Sequence, residues 1–246
     1  MKALVVSDIH ANWPALRAIR EEADLVVCLG DIVSYGPFPR ECVAWVRERA
    51  AHAIRGNHDT ALAHGSETGA AAFKRALALA TLERHKRLLS ADDVAWLRDL
   101  PTEARFRMGD YSLHAFHASP ADHLFSYRIA PDLDDDELKK EVADVRADIV
   151  LLGHTHLPMS RGAWTKVVVN PGSVGQPLDG DPRASYAVIE DGVAEIRRVQ
   201  YDIEATEAGI LGMGLPDSAS ASLLRILRSG RPLDGPAPDA AAPRPA

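Results

Sequence analysis

Two histidines, His154 and His156, stand one residue apart in IVLLGHTHLP (149–158). Side chains at i and i+2 of an extended chain point the same way, so the pair can turn two imidazoles toward one ligand. Similar residues recur wherever an apolar run stops. ALVV ends in SDIH, giving Asp8 and His10; LVVCL ends in GDIVSYG, giving Asp31; AI leads into RGNHD, giving Asn57, His58 and Asp59; and the run to Phe116 is followed by His117. Each fragment has a plainer use. Asp8 or Asn12 can cap a helix, Gly-Asp is ordinary turn chemistry, and Gly56-Asn57 can supply awkward backbone angles. Their joint appearance, in order and at five strand ends, is better explained by a metal site.

The donor types favour two ions. Asp, His and one Asn offer oxygen and nitrogen without thiolate, which suits Mn, Fe, Zn or Ni, with Mn favoured. Two divalent ions against the carboxylates of Asp8 and Asp31 leave a net charge of about +2, which attracts a phosphate.

Ligands of open α/β sheets gather outside the carboxyl ends of the strands, so the elements must bring these ends together. Residues 3–6, 25–29 and 53–54 read as strands, with helical spacing over 14–23 and 39–51 between them, the pattern of parallel crossover units. A helix is predicted over 70–89, and a second starts at a capping box formed by Ser90 and Asp93. A hairpin turns at Gly109-Asp110 and runs to Phe116. An acidic helix over 131–146 buries Leu138, Val142 and Val145. Strands follow at 149–152 and 166–169, then a hairpin across Asp191-Gly192. From Ser229 onward the chain lacks core-forming residues and reads as a disordered tail.

The chain has 246 residues, 46% of them hydrophobic, enough for one large domain or two small ones. A net charge of -7 makes its surface a poor partner for long nucleic acid or an anionic membrane. The first apolar run is too short for a signal peptide. Two cysteines in different elements, Cys28 and Cys42, point to a reduced, cytoplasmic setting.

D-x-H (8–10), GD (30–31), GNHD (56–59), the lone His117 and GHTH (153–156), in that order, resemble the calcineurin-like metallophosphoesterase superfamily. NPGSVGQP (170–177) and GDPRASYAV (180–188) are similar to its small bacterial phosphodiesterase-like branch. The resemblance implies an α/β fold: a calcineurin-like four-layer αββα sandwich of two mixed sheets flanked by helices. Residues 1–228 would form a single domain, insertions at about 60–101 and 119–146 a helical cap beside the site that chooses the substrate, and 229–246 the Pro/Ala-rich tail. It implies one ion on Asp8, His10, Asp31 and His156, and a second on Asp31, Asn57, His117 and His154. Asn57 and His58 would contact the phosphate, with His58 protonating the leaving oxygen.

The implied activity is hydrolysis of a small soluble phosphodiester through a metal-bridging hydroxide. The alternatives are a phosphomonoesterase, a dinucleoside polyphosphate hydrolase, or a non-catalytic scaffold of the same fold. One departure matters: the protein phosphatases of this family carry GDxxDRG, whereas here Ser34 and Tyr35 replace its histidine-orienting aspartate and phosphate-gripping arginine. This argues against a phosphoprotein phosphatase and towards a phosphodiesterase or small-nucleotide hydrolase, with Arg55, Arg128 and Arg183 as candidate replacements for the lost cation. His114 would face away from His117, and His52, His64, His85 and His123 match no motif and read as surface or packing residues.

Overall fold

The computed structural model describes residues 1–69 and 72–232. In chain order the first half runs β1 (Lys2–Val6), α1 (Trp13–Ala18), β2 (Leu25–Cys28), α2 (Pro39–Arg49), β3 (His52–Ala53), α3 (Asn57–His64), α4 (Ala72–Leu88), α5 (Ala91–Asp99), β4 (Glu103–Met108) and β5 (Tyr111–Phe116). The second half runs α6 (Asp135–Glu141), β6 (Ile149–Leu151), β7 (Met159–Ala163), β8 (Lys166–Asn170), β9 (Ala184–Glu190), β10 (Val193–Val199), α7 (Ile203–Leu211) and α8 (Asp217–Ser229).

The strands form two mixed sheets, ordered β10-β9-β1-β2-β3 and β4-β5-β6-β8-β7. In the first, β1, β2 and β3 are parallel, as their helical crossovers require, and the β9–β10 hairpin adds antiparallel to β1. Side chains alternate between two apolar faces. Val5, Val27, Leu29 and Ile189 meet Leu113, Ile149, Leu151 and Val169 of the second sheet. Leu4, Val6, Cys28 and Val188 pack under helices α1, α2, α3 and α5. The outer face of the second sheet, with Val150 and Val168, is covered by Leu138 and Val142. The chain is therefore a four-layer sandwich, helix–sheet–sheet–helix.

Several elements differ from the sequence expectation. α1 stops at Ala18, and α6 covers only 135–141 of the expected 131–146. Leu138, Val142 and Val145 are nevertheless buried, because beyond β-branched Val142 the chain tightens into turns, with Val145 N–H donating to the Val142 carbonyl. β7, with Gly162 and little apolar alternation, is defined by its pairing with β8. α7 and α8 went unanticipated although Asp202 caps the first and Leu223, Ile226 and Leu227 mark a buried stripe on the second. Ser90 and Asp93 form the expected capping box of α5. Of the stretch read as a tail, 233–246 lie outside the described residues, while Ser229 closes α8 and Gly230 caps it. Among the described residues no helix is long and apolar enough to cross a membrane.

Candidate metal centre

Five loops meet at one end of the sandwich, after β1, β2 and β3 of the first sheet and after β5 and β6 of the second. Their backbone is strained. Asp8, His10, Asp31, His154 and His156 all have φ between 46° and 65°, a conformation that costs a side-chain-bearing residue about 1–2 kcal/mol. The loops brace one another: Asp8 N–H donates to the Gly30 carbonyl at 3.0 Å, His10 N–H to that of Asp31 at 2.9 Å, and His154 N–H to Asp8 Oδ2 at 3.0 Å. Such strain persists where surrounding bonds over-determine it, as they do at functional sites.

Asp8, His10 and His156 form one buried group of possible metal donors, and Asp31, His117 and His154 a second. In the first, the Nδ1–H of His10 donates to the Val33 carbonyl at 3.0 Å and that of His156 to the Gln176 carbonyl at 2.6 Å. These bonds orient the rings, so both Nε2 atoms face inward. They face each other at 3.1 Å, with Asp8 Oδ1 3.3 Å from His156 Nε2. Two imidazole nitrogens and a carboxylate oxygen so close together form a set that a cation can occupy. In the second group, His117 donates through Nδ1 to the Leu29 carbonyl at 2.7 Å and points Nε2 at Asn57 Oδ1, 3.0 Å away. Asn57 is oriented by its Nδ2–H, which donates to the Thr68 carbonyl, and its Oδ1 also lies 3.1 Å from His154 Nδ1. Asp8 Oδ1, His154 Nε2 and His58 Nδ1 are buried without hydrogen-bond partners. The donor set therefore fits two divalent ions.

The electrostatics leave His10 and His154 neutral and favour a proton on His117. Burial, reinforced by His156, pushes His10 down to about 3, and burial with His117 takes His154 down to about 3, so both present neutral rings. Burial opposes the ionisation of Asp8, yet His156 beside it outweighs this and brings its carboxyl down to about 2. His117 is pushed up to about 9, since Asp31 overcomes the effect of burial. Asp31 is held well below the usual carboxylate range by His117 and His58 despite its burial.

Asp31 Oδ1 accepts the His58 N–H at 2.9 Å, leaving Oδ2 for the site. A Cβ on Gly56 would come within 2.1 Å of that Oδ1, so only glycine lets the GNHD turn approach Asp31. Asp59 accepts N–H bonds from Ile32, Val33 and Gly56 and does not reach His58. Burial and the charge of Asp31 push Asp59 up to about 7. Asn12 caps α1, its Oδ1 accepting the Ala15 N–H.

The NPGSVGQP stretch proves to be a buttress: Ser173 Oγ donates to the Asp8 carbonyl, and Asn170 Nδ2 to that of Gly153. The sequence signalled this segment without its role. Tyr127, whose ring lies 4.1 Å from that of His154 and tilted to it by 36°, was missed, since it lies in irregular chain without periodicity. His114 lies away from the site, paired with Glu103 and packed on Phe116. His52 stacks on Phe106, and His64 is exposed. Of the candidate arginines, Arg55 donates to the carbonyls of Arg98 and Leu100, Arg128 to Glu141, and Arg183 to Asp181.

The calcineurin-like phosphoesterase superfamily domain matches residues 1–191. An uncharacterised protein of Methanocaldococcus jannaschii is 31% identical over 87% of this chain and 93% of its own length. The phosphodiesterase YfcE of Escherichia coli K12 is 27% identical over 80% of this chain and 91% of its own. A metallophosphoesterase structure from Sphaerobacter thermophilus superposes with a TM-score of 0.76 at 32% identity, covering 94% of this chain and 99% of that one. The domain match takes in every loop that feeds the two donor groups, and this chain belongs to the calcineurin-like phosphoesterase superfamily of metal-dependent phosphoester hydrolases.

Proposed function

We propose that the chain is a binuclear phosphodiesterase acting on a small soluble phosphate ester. The observation that carries this reading is the position of Asp31. Its Oδ2 lies 3.8 Å from His10 Nε2 in one donor group and 3.5 Å from His117 Nε2 in the other, so one carboxylate serves both. In this reading Asp8, His10, Asp31 and His156 hold the first ion, and Asp31, Asn57, His117 and His154 the second. Two divalent ions there would supply a water acidified toward neutrality and neutralise charge on the phosphoryl oxygens. His58, with Nε2 4.0 Å from Asp31 Oδ2, sits beside both groups, where an imidazole can contact the phosphate and hand a proton to the leaving oxygen. Asn57 orients the second group and contacts the same phosphate.

The preference for a diester is supported by the engagement elsewhere of the three candidate arginines, Arg55, Arg128 and Arg183. A dianionic monoester needs that cation more than a monoanionic diester does. The name of the YfcE relative points the same way. The ions we favour are Mn, then Fe, Zn or Ni, because neither Cys28 nor Cys42 enters a donor group. The two buried free thiols support a cytoplasmic setting, and the net charge of -7 supports a small substrate over long nucleic acid or a membrane.

The test is turnover of an aryl phosphodiester with each metal, beside an aryl monoester and diadenosine tetraphosphate. The diester is expected to be turned over fastest. Asp31→Ala should lower kcat by more than about 100-fold, the upper range for losing only a ligand's outer partner. No turnover with any metal, or wild-type turnover by Asp31→Ala, overturns the reading. Faster turnover of either other substrate replaces the diesterase with that activity.

A further inference from the structure

Where the GDxxDRG pattern has its arginine, this chain has Tyr35, and its surroundings are built for it. The side chain is 5% exposed. Its ring packs 4.8 Å from that of His10 and 4.9 Å from that of His58. The phenol oxygen lies 3.4 Å from His58 Nε2, its only hydrogen-bond partner among the described residues and one at the long limit for such a bond. An aromatic residue that merely filled space would not need that oxygen.

The backbone carries a cost for this placement. Ser34 and Tyr35 have φ of 80° and 60°, in the left-handed region that bulky residues avoid. Helix α4 holds them there. Tyr35 N–H donates to Thr81 Oγ1 at 3.0 Å, Ser34 N–H donates to His85 Nδ1 at 3.1 Å, and His85 Nε2–H donates to the Gly36 carbonyl at 2.8 Å. Three consecutive loop residues are thus fixed by two side chains of one helix.

We propose that Tyr35 is a catalytic residue: its phenol O–H donates a hydrogen bond to the phosphoryl oxygen beside His58, and by replacing a charged grip with a neutral one it selects monoanionic diesters over dianionic monoesters. The proposal rests on the phosphodiesterase reading above. A phenol keeps its proton at neutral pH and can donate, while its lack of charge withholds the charge-assisted bond that a guanidinium would give a dianion. Thr81 and His85 act as positioning residues for it.

The test uses the metal-replete protein and the variants Tyr35→Phe and Tyr35→Arg, with aryl phosphodiester and aryl phosphomonoester as substrates, inorganic phosphate as inhibitor and elemental analysis for bound metal. Tyr35→Phe should keep its metal and lose about 10- to 100-fold in kcat on the diester, somewhat less than removal of an oxyanion-hole donor usually costs. Tyr35→Arg should raise the monoester-to-diester ratio of kcat/KM at least about tenfold and tighten phosphate inhibition. Diester kcat in Tyr35→Phe within about twofold of wild type, or an unchanged substrate ratio in Tyr35→Arg, overturns the proposal alone. Equal losses on both esters accompanied by loss of metal also overturn it, because Tyr35 would then be a packing residue. A wild-type protein that turns over neither ester overturns the phosphodiesterase reading and takes this proposal with it.

Discussion

His154 and His156 lie in one loop and point into different donor groups. His156 presents Nε2 to His10 and Asp8, while His154 presents Nδ1 to Asn57 beside His117. Replacing His156 by Ala should therefore weaken the ion on Asp8 and His10 far more than the other, and His154→Ala the reverse. Titration of each variant with Mn checks this: one tight site should survive in each, and equal loss of both would refute the division. The spacing of GHTH put the two rings on one side by assuming an extended chain. The structure reaches a similar result differently, since β6 ends at Leu151 and both histidines have positive φ. Residue types were legible because metal donors are few. Which ring nitrogen faces inward was not, for it depends on carbonyls such as that of Gln176, 20 residues away.

At the scale of elements, α4 is more than a wall. His85, which matched no motif, is fully buried and clamps the loop at 34–36 between its two ring nitrogens. Burial pushes it down to about 4, the bond to the Gly36 carbonyl opposing and Arg84 adding to the shift. An unfolded histidine titrates near 6.5, so between about pH 4 and 6.5 the unfolded chain binds the extra proton. The stability that His85 contributes is complete above that window and is lost as the pH falls through it. Denaturant unfolding at pH 7 and pH 5 should show a smaller decrease for His85→Gln than for wild type, and the same decrease in both would remove His85 from this role. Short periodic signals explain what was legible here. Of the strands feeding the site, β1, β2 and β6 carry uninterrupted apolar runs, whereas β7 exists through pairing with β8 and α6 ends where tertiary packing turns the chain.

At the scale of the molecule, the donors come from both sheets: Asp8, His10, Asp31 and Asn57 follow strands of the first, and His117, His154 and His156 follow strands of the second. The sheets are joined by their apolar interface and by a few bonds at this end, such as His117 Nδ1–H to the Leu29 carbonyl and Val174 N–H to that of Ser7. Ions bound across the two sets would tie the sheets together and act only on the folded state. Each contributes about 2.7 kcal/mol at a free concentration 100 times its dissociation constant. The thermal midpoint should rise with Mn concentration and fall on chelation. Asp8→Ala, which disables one group, should retain roughly half of that rise. Leu151→Ala, in the interface directly before the GHTH loop, should cost about 2–5 kcal/mol. It should also weaken Mn binding, because the loop it anchors carries one donor for each group. A midpoint independent of Mn, or a Leu151→Ala variant that binds Mn as tightly as wild type, would mean that the sheets set the site's geometry without any return of stability from the ions.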